Sequence, residues 1–107
     1  GSVLDYAYSK LGYPYVWGAK GPDAFDCSGF VAWCYRQIGM SLPSYTESLY
    51  AVASARFSPS EARPGDVLYK PGHVGISTGG ISCIEAMGTR WGVVESCRGG
   101  WTAALRF

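Results

Sequence analysis

The strongest constraint on the fold is a change of hydrophobic period partway along the chain. The first half repeats apolar residues at helical spacing, and the second breaks into short apolar runs divided by Gly and Pro turns. Leu4, Ala7, Tyr8 and Leu11 predict a first helix stopped by Gly12. Phe30, Val31, Cys34, Tyr35 and Ile38 predict a second from Asp26 to Ile38, with Gly39 as its stop. A third is expected from Ser44 to Ala55, where Ser44 and Glu47 are spaced as a capping box. After the turn Arg63-Pro64-Gly65-Asp66, strands are expected at Val67–Tyr69, His73–Ser77, Ile81–Ala86, Val93–Ser96 and Ala103–Phe107. Helices first and strands second spell an α+β domain with helices on one side of an antiparallel sheet. Five strands this short are expected to curl toward a half-closed barrel that hides their edges.

At 107 residues there is room for one domain and one core. Hydrophobic residues make up 48% and charged residues 16%, an ordinary globular balance. A net charge of +1 without a Lys/Arg cluster argues against nucleic acid as a partner. No apolar run approaches the roughly eighteen residues of a membrane span, and no signal peptide is read. Gly1-Ser2 reads as a cloning remnant, so residues 1–107 are taken as one domain excised from a longer protein, with its native address missing. Four cysteines form no CxxC pair and there is one histidine, so no metal site and no cofactor is expected. Cys34 falls on the apolar face of the second helix and reads as a small buried hydrophobe. Cys83 and Cys97 flank a candidate hairpin, and a disulfide between them is one expectation.

Cys27 has a different setting. It stands in Asp26-Cys27-Ser28-Gly29, where a loop becomes a helix. The first turn of a helix offers unpaired N–H groups and the positive end of the dipole, which favour a thiolate and a developing oxyanion. Ser28 and Gly29 are expected to keep the surface small enough for a peptide to approach. His73, the one histidine, opens a strand after Pro71-Gly72 and is the candidate base. A buried structural cysteine and a structural histidine are the competing readings, and spacing alone does not give the distance between the two.

The string Leu11-Gly12-Tyr13-Pro14-Tyr15-Val16-Trp17-Gly18 resembles the opening of the NlpC family of papain-like cell-wall peptidases. So do Gly21-Pro22 and Phe25-Asp26-Cys27-Ser28-Gly29-Phe30, the family's nucleophile motif. Leu42-Pro43, Pro64-Gly65-Asp66 and His73-Val74-Gly75-Ile76 follow in the family's order. The resemblance implies a nucleophile helix packed on a small curled sheet that carries the histidine. It implies cleavage between a D-glutamyl γ-carboxyl and a diamino acid in peptidoglycan stem peptides. It also implies a third polar residue about twelve positions after the base, often His and here Glu85. A carboxylate can orient an imidazole, so that departure is chemically acceptable. Tyr15, Trp17, Asp26 and Ser28 match positions that line the site or contact substrate in the family. Core packing competes for the two aromatics and helix capping for Asp26 and Ser28.

A second departure bears on substrate. Where relatives often carry Arg after Leu-Pro, this chain has Ser44-Tyr45-Thr46, a missing cation near the cleft. The expected protein is a cell-wall endopeptidase that is secreted, wall-associated or carried on a phage particle, with companion domains elsewhere in its chain. A related amidase or acyltransferase would use the same Cys and His. A silent wall-binding module would not require them.

Overall fold

The computed structural model describes residues 1–107. Three helices, α1 Val3–Ser9, α2 Cys27–Gln37 and α3 Thr46–Val52, precede most of the sheet. Six strands follow: β1 Ala55–Phe57, β2 Val67–Lys70, β3 His73–Gly79, β4 Ser82–Gly88, β5 Gly92–Ser96 and β6 Ala103–Arg106. All pairs are antiparallel, in the order β1-β6-β2-β3-β4-β5. The α+β expectation holds, with six strands in place of five. The added strand, β1, lies where the third helix was expected to end, and its only ladder is to β6 at the far end of the chain. A three-residue segment whose partner is that remote leaves no local periodicity to read.

The helix limits also differ from the periodic pattern. Ser2 caps α1 in a reciprocal capping box with Asp5. The buried face of α1 is Val3 and Ala7, while Tyr8 and Leu11 stay exposed. A helix of two turns buries a narrow stripe, and Tyr8 is one step of about 100° away from Ala7. α3 is shorter than expected and has no side-chain cap at Tyr45. The Ser44–Glu47 capping box does not form. The Ser44 carbonyl accepts from Ser28 Oγ at 2.7 Å, and the Glu47 carboxylate turns to Tyr69 and Gly72. Each finds a tertiary partner in place of the local one.

The helices cover one face of the sheet. Val67, Tyr69, Val74, Ile76, Ile84, Ala86, Val93 and Leu105 meet Ala7, Phe30, Val31 and Cys34 there in the main core. Strand alternation sends Leu68, Cys83 and Ala104 to the opposite face, where they pack with Ala62 in a smaller cluster. Pro64-Gly65-Asp66 braces the sheet. Asp66 Oδ2 accepts from Arg63 N at 2.9 Å and from Arg106 Nη2 at 2.7 Å, tying β2 to β6. No helix is long and apolar enough to cross a membrane.

Candidate active site

Asp26 N-caps α2 and makes Cys27 its first residue. Its Oδ1 accepts from Gly29 N at 2.6 Å and its Oδ2 from Gly18 N at 3.1 Å, so one carboxylate ties the helix start to the aromatic loop. Gly29 lies under that loop: a Cβ there would stand 2.2 Å from the Ala19 carbonyl. The expectation that Gly29 keeps the surface open to a peptide is therefore corrected. It lets the loop close over the helix, and the surface beside Cys27 is made by other residues.

His73 is the first residue of β3, directly after Gly72, whose carbonyl lies 3.9 Å from Cys27 Sγ. The Cys27 thiol is close enough to the imidazole to act on its titration, and the ring's Nε2 lies 2.6 Å from Glu85 Oε1. With Nε2 taken by the carboxylate, Nδ1 is the ring nitrogen left for sulfur. Trp101 lies nearly parallel to the ring, at 5.6 Å between centroids and 14° between planes. Burial by itself pushes the His73 pKa down. The bonds to Cys27 and Glu85 and the charges of both outweigh it and hold the pKa above its ordinary value.

Glu85 sits mid-strand in β4 and is 0% exposed. Ile84 and Ala86 point to the helix-covered core, and Glu85 points with Cys83 to the other face. Gly75 on the neighbouring strand leaves it room, since a Cβ there would stand 3.2 Å from Glu85 Cβ. Burial would raise this carboxyl's pKa. Hydrogen bonds from His73, Arg98 and Ser96 override burial and hold it far below the usual carboxylate range. Cys27, His73 and Glu85 thus form a continuous line from α2 through β3 to β4.

The line opens onto a cleft of about 480 Å³ whose walls include Tyr15, Trp17, Asp26, Cys27 and Ser28. All four positions matched to substrate contacts lie around it. Tyr15 is half-buried, and its hydroxyl pKa is raised by burial and by the negative charges of Cys27 and Asp26. Trp17 is 87% exposed, so it is no core aromatic. Ser28 is buried, with its hydroxyl bonded to the Ser44 carbonyl. The cation missing after Leu42-Pro43 has a counterpart from elsewhere, because Lys20 lines the cleft with its ammonium 5.1 Å from the centre of the Tyr45 ring.

Sequence reasoning missed Glu47, Ser96, Arg98 and Trp101. Glu47 lines the cleft, accepting from the Tyr69 hydroxyl at 2.5 Å and from Gly72 N at 3.1 Å, and so braces the turn before His73. Its spacing to Ser44 pointed to a cap instead. Ser96 and Arg98 become visible only through the β4–β5 register, in which Ser96 faces Cys83 and Val94 faces Glu85. The same register corrects the disulfide expectation. All four cysteines are free, and Cys83 lies opposite Ser96 rather than Cys97. Cys97, one residue further on, is exposed, whereas Cys83 is buried. Burial pushes the Cys34 and Cys83 thiols up to about 12.

A thiol at a helix start, an imidazole beside it and a carboxylate behind come together on a helix-covered antiparallel sheet, an arrangement that could support thiol-based nucleophilic chemistry. The chain belongs to the NlpC/P60 family, whose profile matches residues 12–105. It is 42% identical over 103 residues to a probable endopeptidase p60 of Listeria grayi, covering 90% of this chain and 20% of that protein. It is 40% identical over 89 residues to a probable endopeptidase of Corynebacterium glutamicum, covering 80% of this chain and 42% of that one. Among solved structures, the NlpC/p60 domain of the peptidoglycan hydrolase SagA superposes with a TM-score of 0.89 at 32% identity, covering 99% of this chain and 97% of that one. The peptidoglycan hydrolase RipB of Mycobacterium tuberculosis gives 0.81 at 32% identity, covering 97% of this chain and 62% of that one.

Proposed function

We propose that the domain is a cysteine endopeptidase that hydrolyses the amide between a D-glutamyl γ-carboxyl and a diamino acid in peptidoglycan stem peptides. The observation that carries this reading is a thiol lining the cleft, Cys27, with His73 beside it and Glu85 bonded to His73 behind. Its relatives' names as endopeptidases and peptidoglycan hydrolases give it support. The thiolate of Cys27 attacks the γ-carbonyl carbon, and the developing oxyanion faces N–H groups of the first turn of α2. The His73 imidazolium gives its proton to the departing amine, leaving a thioester on Cys27. His73 then takes a proton from water, which attacks the thioester, releases the γ-carboxylate and restores the thiol. Glu85 holds the ring through Nε2, so that Nδ1 faces sulfur throughout. Tyr15, Trp17, Asp26 and Ser28 contact the stem peptide along the cleft. No step requires a metal or cofactor. The relatives are longer than this chain, which supports companion domains beside it, and on this reading the whole protein is secreted, wall-bound or phage-borne.

Mass spectrometry of purified muropeptides before and after digestion identifies the bond. Cys27→Ala is expected to abolish cleavage in a folded domain, while Cys34→Ala cleaves. Because Cys97 is exposed while Cys27 is buried, thiol labelling is informative only as the difference between parent and Cys27→Ala. Cleavage surviving intact in Cys27→Ala would refute the proposal.

A further inference from the structure

Glu85 serves more partners than His73. Its Oε1 lies 2.6 Å from both His73 Nε2 and Arg98 Nη2. Its Oε2 accepts from Arg98 Nε at 3.3 Å and from the Ser96 hydroxyl, and the Cys83 thiol lies 3.5 Å away. The guanidinium therefore spans both oxygens of a fully buried carboxylate, the fork geometry that arginine makes and lysine does not. Arg98 Nη2 is also 3.5 Å from His73 Nε2. When that nitrogen carries the proton donated to Glu85, the arginine is no hydrogen-bond partner of the ring. It is instead a fixed positive charge beside one that forms during the reaction.

We propose that Arg98 is a positioning residue that sets the charge balance of His73: it clamps Glu85 toward the ring and offsets part of the carboxylate's charge. The physical reason is a competition. A buried carboxylate facing an imidazole alone stabilises the imidazolium strongly, which favours the ion pair with sulfur but discourages release of the proton to the leaving amine. A shared carboxylate keeps the ring oriented while weakening its hold on that proton. The charged and titratable groups around the ring are Cys27 from α2, Glu85 and Cys83 from β4, Lys70 at the ladder position opposite His73, Glu47 bonded to Gly72, and Arg98. Arg98 is the cation that touches both members of the His73–Glu85 pair. Ser96 and Cys83 continue to hold Oε2 when Arg98 is removed, so loss of its charge is expected to dominate over loss of its clamp.

The inference rests on the reading of Glu85 as the group that orients His73, and one experiment separates the two. His73 is the sole histidine, so its imidazole NMR signal titrates without overlap. In Arg98→Met and Arg98→Gln the midpoint is expected to rise above the parent's, and the alkaline limb of the kcat/KM profile to move to higher pH with it. Arg98→Lys keeps a charge without the fork and is expected to remain nearer the parent. Glu85→Gln is expected to lower the midpoint. An unshifted midpoint in Glu85→Gln overturns the Glu85 reading itself. A lowered midpoint there, with Arg98→Met and Arg98→Gln unshifted or also lowered, overturns the role of Arg98 alone. Failure of both neutral variants to fold assigns Arg98 to stability and ends the proposal.

Discussion

Among single residues, Glu85 departs most from ordinary behaviour, as a carboxylate 0% exposed in the middle of a strand. A buried charge persists only when paired and hydrogen-bonded, and four neighbouring side chains supply that pairing. If its purpose is to orient His73, its replacement will act on the rate and leave binding little changed. Glu85→Ala is expected to lower kcat by roughly 10²–10⁴-fold with a similar KM, by analogy with other orienting groups. Glu85→His, which restores a polar partner at the same place, is expected to retain more activity than Ala. Steady-state kinetics on muropeptides for the Ala, Gln and His variants test this, and parental rates in all three would return Glu85 to a purely structural part.

At the scale of elements, the start of α2 carries two demands on one side chain. Asp26 caps the helix and also lines the cleft. The roles separate by chemistry, because an asparagine oxygen still accepts from Gly29 N whereas alanine accepts nothing. Asp26→Ala is expected to lose about 1 kcal/mol in urea unfolding, and Asp26→Asn only a fraction of that. If the carboxylate also meets substrate, KM rises in both variants alike. Equal stability of Asp26→Ala and the parent would show that the Gly29 and Gly18 bonds contribute nothing to the helix start.

For the whole molecule, three carboxylates with lowered pKa values, Glu85, Asp66 and Glu47, couple the fold to pH. Glu85 and Asp66 both have folded pKa values below their ordinary 4.5 and 3.8. In Asp66, burial pulls upward, but the bonds from Arg106 and Arg63 N prevail. A depressed folded value means that the unfolded chain binds the proton more readily. The contribution is therefore complete above the ordinary value and is lost as pH falls toward the folded one. His73 has the opposite sign: its raised value stabilises the fold fully below its ordinary 6.5, and that share is lost as pH rises through the folded pKa. Melting temperatures are expected to hold between about pH 5 and 6.5 and to fall progressively below about 4.5. Asp66→Asn is expected to have a lower melting temperature near neutrality and a flatter acid slope. An acid slope as steep as the parent's would place the coupling in other groups.

What the sequence determined by itself was local or carried by ordered motifs. The order of helices and strands, the placement of Cys27 at a helix start and the alternation that isolates Glu85 between Ile84 and Ala86 all follow from period and capping within a few residues. The motif resemblance then linked Cys27, His73 and Glu85, which spacing could not. What only the tertiary structure decided depends on partners far along the chain. β1 exists because β6 returns to it, Glu47 abandons a local cap for Tyr69 and Gly72, and Cys83 faces Ser96 rather than Cys97. Arg98 is the sharpest case, an exposed-looking arginine in a loop whose fork closes on a buried carboxylate thirteen residues earlier. Periodicity reports which face of an element is apolar; strand register and loop closure decide which charge meets which, and those are properties of the folded chain.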